Sequence, residues 1–161
     1  MGLTDSYQNG VAECFQLGTI ATNATSLTTV DTLSRGAFAI VDVVQNVPAA
    51  TNTSAKWTSL VLSHGTTTDA TNHTAITNMT GTTNTTATTA QFVLPTNNDT
   101  AVNQICRFYI DLRNKERFIG VTKQASANHQ STANTATLFR RPTSPVTDAE
   151  RNVGVSVVNI A

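Results

Sequence analysis

The chain has 161 residues, of which 39% are hydrophobic and only 12% are charged, and its formal net charge is zero. This length suffices for one domain whose core needs no disulfide or metal, since folding buries about two-thirds of the surface of such a chain. The zero net charge argues against electrostatic binding of nucleic acid. No apolar run approaches the roughly 20 residues of a membrane span.

Threonine, asparagine and serine must supply most of the polar surface, and they favour strands and turns, so we predict an all-β protein. The first residues show weak periodicity, with one short candidate strand at 13–17. We therefore expect residues 1–35 to form an extended N-terminal arm and residues 36–161 to form the folded domain. The N-terminus lacks the basic start and apolar centre of a signal peptide, which predicts a cytoplasmic protein.

Two strands with clear alternation follow the arm. In GAFAIVDVVQNV, Phe38 and Ile40 share one face, and in KWTSLVLSH, Leu60 and Leu62 lie opposite Val61. The next segment, 65–89, is nearly free of charge and of large apolar groups. We interpret it as a long surface excursion with room for one edge strand, and low-complexity disorder is the alternative.

The C-terminal half contains four further strand patterns, NQICRFYIDLR, RFIGVTKQA, TATLFRR and NVGVSVVNI. In the first, alternation directs Cys106, Phe108 and Ile110 to the core and Arg107 and Tyr109 outward. The charged link after Leu112 is typical of a tight turn, so the first two patterns are predicted to form a hairpin. Together, the strand patterns predict a single antiparallel, jelly-roll-like β-sandwich of about seven or eight strands.

Few residues have the chemistry of a reactive site. His64, Asp69 and His73 form the one local cluster that suits metal binding or acid–base catalysis, but a polar loop explains it better. The sequence contains no phosphate loop or nucleophile elbow, so we expect no enzyme activity, catalytic residue, metal or cofactor. Cys14 and Cys106 are predicted to be free thiols, with Cys106 buried.

Basic side chains are concentrated between Arg107 and Lys123, close to several aromatic residues. A nucleic-acid patch is one interpretation of this arrangement. Two observations oppose it, because Asp111 and Glu116 are interspersed and Phe108 is needed in the core. Cross-strand ion pairs, or a contact surface for another protein, explain the pattern better.

Several segments, in the same order, resemble small structural proteins of tailed bacteriophages. They are TNATSLTTVDTLSRGAFAIVDVVQNV, KWTSLVLSHGTTTDATNHTAI, FVLPTNNDT, RFYIDLRNKERFIGVT and ATLFRRPTSP, within residues 22–146. The family pattern is an F-x-I-D-L-R-x-x-x-R-Y segment followed by a hydrophobic residue and then by A-x-L-x-R. Here Phe118 stands in place of the usual Tyr, and TKQAS replaces a frequent TPG.

The resemblance implies a capsid decoration or cement protein, assembled in the host cytoplasm and located on the virion surface. Its expected partners are the major capsid protein and further copies of itself, as a homotrimer, with no nucleic acid or membrane. The expected capsid or subunit contacts are Arg107, Arg113, Lys115 and Arg117. The alternative is another virion component, such as a head fibre, a tail protein or a glycan-binding module, for which Trp57 and Tyr7 are the candidate exposed aromatics.

Overall fold

The computed structural model describes most of the residues between 11 and 160. The described ranges are 11–20, 25–33, 37–47, 57–82, 91–94, 102–125, 130–139 and 157–160. Within these ranges no helix is long and apolar enough to cross a membrane.

Ten strands and one short 3-10 turn, Ala70–Asn72, make up the described fold. The strands are β1 Val11–Ile20, β2 Thr25–Asp31, β3 Phe38–Val47, β4 Trp57–Gly65, β5 His73–Thr82, β6 Phe92–Val93, β7 Val102–Asp111, β8 Phe118–Ala125, β9 Gln130–Phe139 and β10 Val157–Ile160.

The strands form two five-stranded sheets. The first sheet has the order β1-β9-β3-β7-β10, and the second sheet has the order β2-β8-β4-β5-β6. Without β6 and β10, which join the edges as parallel strands, the pairings are all antiparallel and the orders are those of an eight-stranded jelly roll. The predicted all-β, jelly-roll-like sandwich is therefore confirmed, with ten described strands rather than seven or eight.

Alternating side chains from both sheets meet in one hydrophobic core. The core includes Val41, Val43, Phe108 and Ile110 of the first sheet, and Leu60, Leu62, Ile119 and Val121 of the second. The Phe92 ring of β6 lies 5.7 Å from the ring of Phe108 and packs against this core. One basic side chain, Lys123, is also fully buried, because β8 alternation places it on the inner face after Val121.

The expected N-terminal arm differs from the structure. Within the described residues, nine residues of β1 pair with β9, and seven residues of β2 pair with β8, so both strands belong to the sandwich. β2 was missed because its sequence, TSLTTVD, is mostly polar and only Val30 among its side chains is fully buried. An edge strand can be this polar because one side of it remains close to solvent.

The predicted surface excursion is also largely a strand. A short loop, 66–72, leads into β5, which pairs with β4 and β6 and buries Ile76 and Met79. Residues 83–90 lie outside the described residues. Only two apolar side chains of this threonine-rich strand are buried, and they pack it against the core. The low number of apolar residues in the sequence therefore did not predict a strand here.

The predicted hairpin between β7 and β8 is wrong. β7 pairs with β3 and β10 in the first sheet, whereas β8 pairs with β2 and β4 in the second, so residues 112–117 cross between sheets. Both strands have one apolar face, and these faces pack towards each other across the core instead of lying side by side. Alternation predicts which face of a strand is buried but does not predict which strand lies next to it.

Candidate docking surface

The outer face of the first sheet carries partly exposed apolar side chains on its neighbouring strands β3 and β7. The register places four cross-strand pairs on this face, which are Phe38 with Asp111, Ile40 with Tyr109, Asp42 with Arg107, and Val44 with Ile105. All eight side chains are partly exposed, and five of them are aliphatic or aromatic. The outer positions of a sandwich strand are usually polar, so this face is a candidate for contact with another molecule.

The outer face of the second sheet is more polar. Cross-strand neighbours there include Thr29, Gly120 and Ser63 in one row, and Thr25, Gln124 and Ser59 in another. Leu27 and Val61 are partly exposed aliphatic side chains on this face, and Thr122 separates them. Among the described side chains, the outer face formed by β3 and β7 is therefore the more apolar of the two.

An ion pair lies within the apolar rows of the first sheet. Arg107 donates from Nε to Asp42 Oδ1 at 2.7 Å and from Nη2 to Asp42 Oδ2 at 2.8 Å, a bidentate geometry. The side chains are 27% and 24% exposed, so the pair is partly shielded from water. These hydrogen bonds raise the pKa of Arg107, and they leave the face without net charge at this position.

Two more arginines lie at one end of the sandwich, where residues 112–117 cross between the sheets. Arg113 pairs with Asp111, and its guanidinium stacks 5.1 Å from the centre of the Phe38 ring. Arg117 pairs with Asp31, and its guanidinium lies 4.9 Å from the centre of the Phe118 ring. Each arginine is thus held by one carboxylate and one aromatic ring.

These contacts also affect the carboxylates. Hydrogen bonds from Arg113 lower the pKa of Asp111 to about 2, and hydrogen bonds from Arg117 lower the pKa of Asp31. Both pairs are largely exposed, so their contribution to stability is small. Their main effect is to fix the positions of the two guanidinium groups.

The four predicted contact residues lie in two parts of the structure. Arg107 lies on the outer face of the first sheet, whereas Arg113, Lys115 and Arg117 lie in the connection between β7 and β8. Three of the four have carboxylate partners in this chain, which agrees with the ion-pair interpretation of the sequence. Their contact with a capsid or with other subunits stays a prediction.

His64, Asp69 and His73 have different polar partners. The ring of His73 accepts from Ser63 Oγ at Nδ1 at 3.0 Å and donates from Nε2 to the carbonyl oxygen of Thr67 at 2.8 Å. Asp69 accepts from the backbone nitrogen of Thr71, while His64 Nδ1 lies 3.5 Å from a carboxylate oxygen of Glu116. In the part of the chain that the structure describes, no three His, Cys, Asp or Glu side chains converge on a possible metal position.

The ring of His73 packs closely on two glycines. A Cβ at Gly65 would lie 2.5 Å from its Cδ2 atom, and a Cβ at Gly120 would lie 2.7 Å from its Nδ1 atom. Ser63 is only 4% exposed, so its hydroxyl is poorly placed to meet a substrate. The arrangement holds the loop 66–72 against the second sheet.

The two cysteines lie far apart in the first sheet. Cys106 is a buried free thiol, as predicted, and burial raises its pKa to about 12. Cys14 is level with Thr135, Asp42 and Arg107 in successive strands, so three strand spacings of about 4.8 Å separate β1 from β7. A disulfide requires Cα atoms less than about 7 Å apart, so these backbone positions exclude a bond between the two cysteines.

Sequence reasoning placed the outward residues of β7 on one face but did not identify the apolar surface. That surface depends on the pairing of β3 with β7, and the signal available in the sequence was the alternation of Phe38 and Ile40 with buried residues. Comparison of the chain with protein-family models, curated proteins and solved structures finds no match.

Proposed function

We propose that this protein is a structural virion component that binds the outer surface of an assembled phage capsid and stabilises it as a homo-oligomer. The observation that carries the proposal is the partly exposed apolar face formed by β3 and β7 on a jelly-roll sandwich. Jelly rolls occur in viral capsid domains, although they also serve other functions, so the fold supports this role by analogy only.

A protein that reinforces a shell must present contact residues without losing much conformational freedom on binding. The arginines of the β7–β8 connection meet this requirement, because carboxylates and rings of the same chain hold them in place. Side chains that are already ordered lose less entropy in a contact. The major capsid protein is the proposed partner at this end of the sandwich, and the role is non-catalytic.

Virion composition tests the proposal. Particles purified from cells that make the protein should contain it in a near-integral ratio to the major capsid protein, as measured by quantitative mass spectrometry. Absence of the protein from purified particles would refute the assignment.

A second experiment addresses stabilisation. Capsids lacking the protein should release their contents at a lower temperature than decorated capsids, and adding the purified protein should restore the higher temperature.

Variants of the chain test which residues bind the capsid. Deletion of residues 2–30 is an unsuitable variant, because it would remove β1 and most of β2 from the two sheets. The triple variant Arg113→Ala/Lys115→Ala/Arg117→Ala changes only the exposed end, and it should weaken capsid binding. Its control, Asn72→Ala, changes an exposed residue of the 66–72 loop region.

A further inference from the structure

The apolar face of the first sheet is complementary to itself. In three of its four cross-strand pairs, the residue of β3 and the residue of β7 are chemically suited to contact each other. Two pairs join apolar side chains, Ile40 with Tyr109 and Val44 with Ile105, and they lie on either side of the oppositely charged pair Asp42 and Arg107. The chain has zero formal net charge, so no overall repulsion opposes the approach of two copies.

We propose that this face binds the same face of a second copy about a twofold axis that runs parallel to β3 and β7. This axis places β3 of one copy against β7 of the other. Asp42 then faces the partner's Arg107, Ile40 faces the partner's Tyr109, and Val44 faces the partner's Ile105. Each copy contributes the same residues, as a closed twofold interface requires.

The other twofold arrangement in the plane of the interface is less favourable. An axis perpendicular to the strands would place β3 against β3, so Asp42 would face the partner's Asp42 and Arg107 would face the partner's Arg107. Like charges in direct opposition weaken an interface. The charge order of the Asp42–Arg107 row therefore selects the axis parallel to the strands.

The ion pair lowers the cost of covering this face. Asp42 already accepts two hydrogen bonds from Arg107, so neither group is left without a hydrogen-bonding partner when water is excluded. In the paired arrangement, two such pairs lie next to each other with alternating charges. Tyrosine and arginine are also residues that frequently contribute strongly to protein interfaces.

The size of the face predicts a weak dimer. Seven residues of β3, from Phe38 to Val44, span about 20 Å, and the four spacings between five strands span about 19 Å, which gives about 400 Å² per copy. Stable complexes bury about 800 Å² per partner. The pair should therefore form at high concentration in solution and become more stable where a capsid holds neighbouring copies close together.

This inference names the interface of the homo-oligomer in the proposed function, but it does not depend on attachment to a capsid. It also predicts a twofold pair in place of the trimer expected from the sequence. Measurements on the isolated protein test the pairing, and measurements on virions test the proposed function, so each can fail separately.

The first experiment measures the mass of the isolated full-length chain over a range of concentrations by sedimentation equilibrium. We expect a concentration-dependent dimer. The variant Ile40→Thr/Val44→Thr should weaken self-association by about 250-fold, because each of the four altered sites in the dimer loses at least one buried methyl group, worth about a factor of four. Threonine is β-branched, so both strand positions remain compatible with the fold.

The matched control is Leu27→Thr/Val61→Thr, which makes similar changes on the outer face of the second sheet. Circular dichroism should show that both variants keep their strands, and the control should dimerise as the unmodified chain does. A monomer at all concentrations, a trimer, or equal weakening by the control would overturn the proposal.

The second experiment tests the direction of the axis with the charge exchange Asp42→Arg/Arg107→Asp. This variant keeps the ion pair within its own chain and should self-associate as the unmodified chain does. It should not associate with the unmodified chain, because like charges would then face each other in both halves of the interface. A tagged unmodified chain should therefore capture untagged unmodified chain but not the variant, and preferential capture of the variant would refute the parallel axis.

Discussion

The buried amine of Lys123 predicts an unusual dependence of stability on pH. Burial lowers the pKa of this group from its usual value of 10.5 to about 7 in the folded chain. Between these two values the unfolded chain binds a proton that the folded chain does not bind, so the free energy of unfolding rises with pH. Well below pH 7 the Lys123 amine is protonated in both the folded and the unfolded chain, so its contribution to the free energy of unfolding no longer changes with pH.

The useful range is pH 7 to 9, because Cys106 acts in the opposite direction above it. The thiol has a usual pKa of 9.0 and a folded pKa of about 12, so its contribution is present below pH 9 and is lost as the pH rises towards 12. Over the two pH units from 7 to 9, the free energy of unfolding should rise by about 2 kcal/mol because of Lys123, since the full slope is about 1.4 kcal/mol per pH unit and the folded amine is still half protonated at pH 7.

Urea unfolding, followed by circular dichroism at pH 7, 8 and 9 and constant ionic strength, measures this slope. Lys123→Met should remove it, because methionine fills a similar volume and does not titrate. Lys115→Met, at a more exposed position in the β7–β8 connection, is the matched control and should keep the slope of the unmodified chain. The reasoning fails if the unmodified chain shows no rise from pH 7 to 9, or if both variants flatten the curve equally.

Three further predictions concern packing and reactivity. Gly120→Ala should lower the free energy of unfolding by about 1 to 3 kcal/mol in urea titrations, because the new Cβ would lie 2.7 Å from His73 Nδ1; unchanged stability would show that the ring moves without cost. Phe108→Ala, at a fully buried core position, should lower it by about 3 to 5 kcal/mol, and a loss below 1 kcal/mol would contradict the central position of this ring. The Cys106 thiol should resist an aromatic disulfide reagent at pH 8 in a Cys14→Ser background and react on addition of denaturant, whereas rapid reaction of the folded chain would contradict its burial.

Alternation predicted the strands that contribute most to the core. It identified β3, β4, β7 and β8 and the inward position of Phe108, because each of these strands buries one complete face. β2 was not predicted, since an edge strand rich in threonine has no strong period-two pattern of apolar residues.

The candidate docking surface depended on information that local sequence does not contain. Asp42 and Arg107 are 65 residues apart, and Asp31 and Arg117 are 86 residues apart, so their pairing follows from sheet register. The residues predicted as intersubunit contacts were selected for their charge. The structure shows that three of the four charges are paired with carboxylates of the same chain and that the apolar residues beside Arg107 distinguish this face.

The pairing of β1 with β9 affects how the chain can fold while it is being synthesised. Ile20 pairs with Gln130, about 110 residues later in the chain, and β9 also pairs with β3. A ribosome must therefore complete β9 before the described part of the first sheet can form, and until then β1 lacks the strand that it pairs with in the folded chain. Unpaired strands can associate with other chains, so slow elongation before β9 is complete should increase aggregation more than slow elongation after β9.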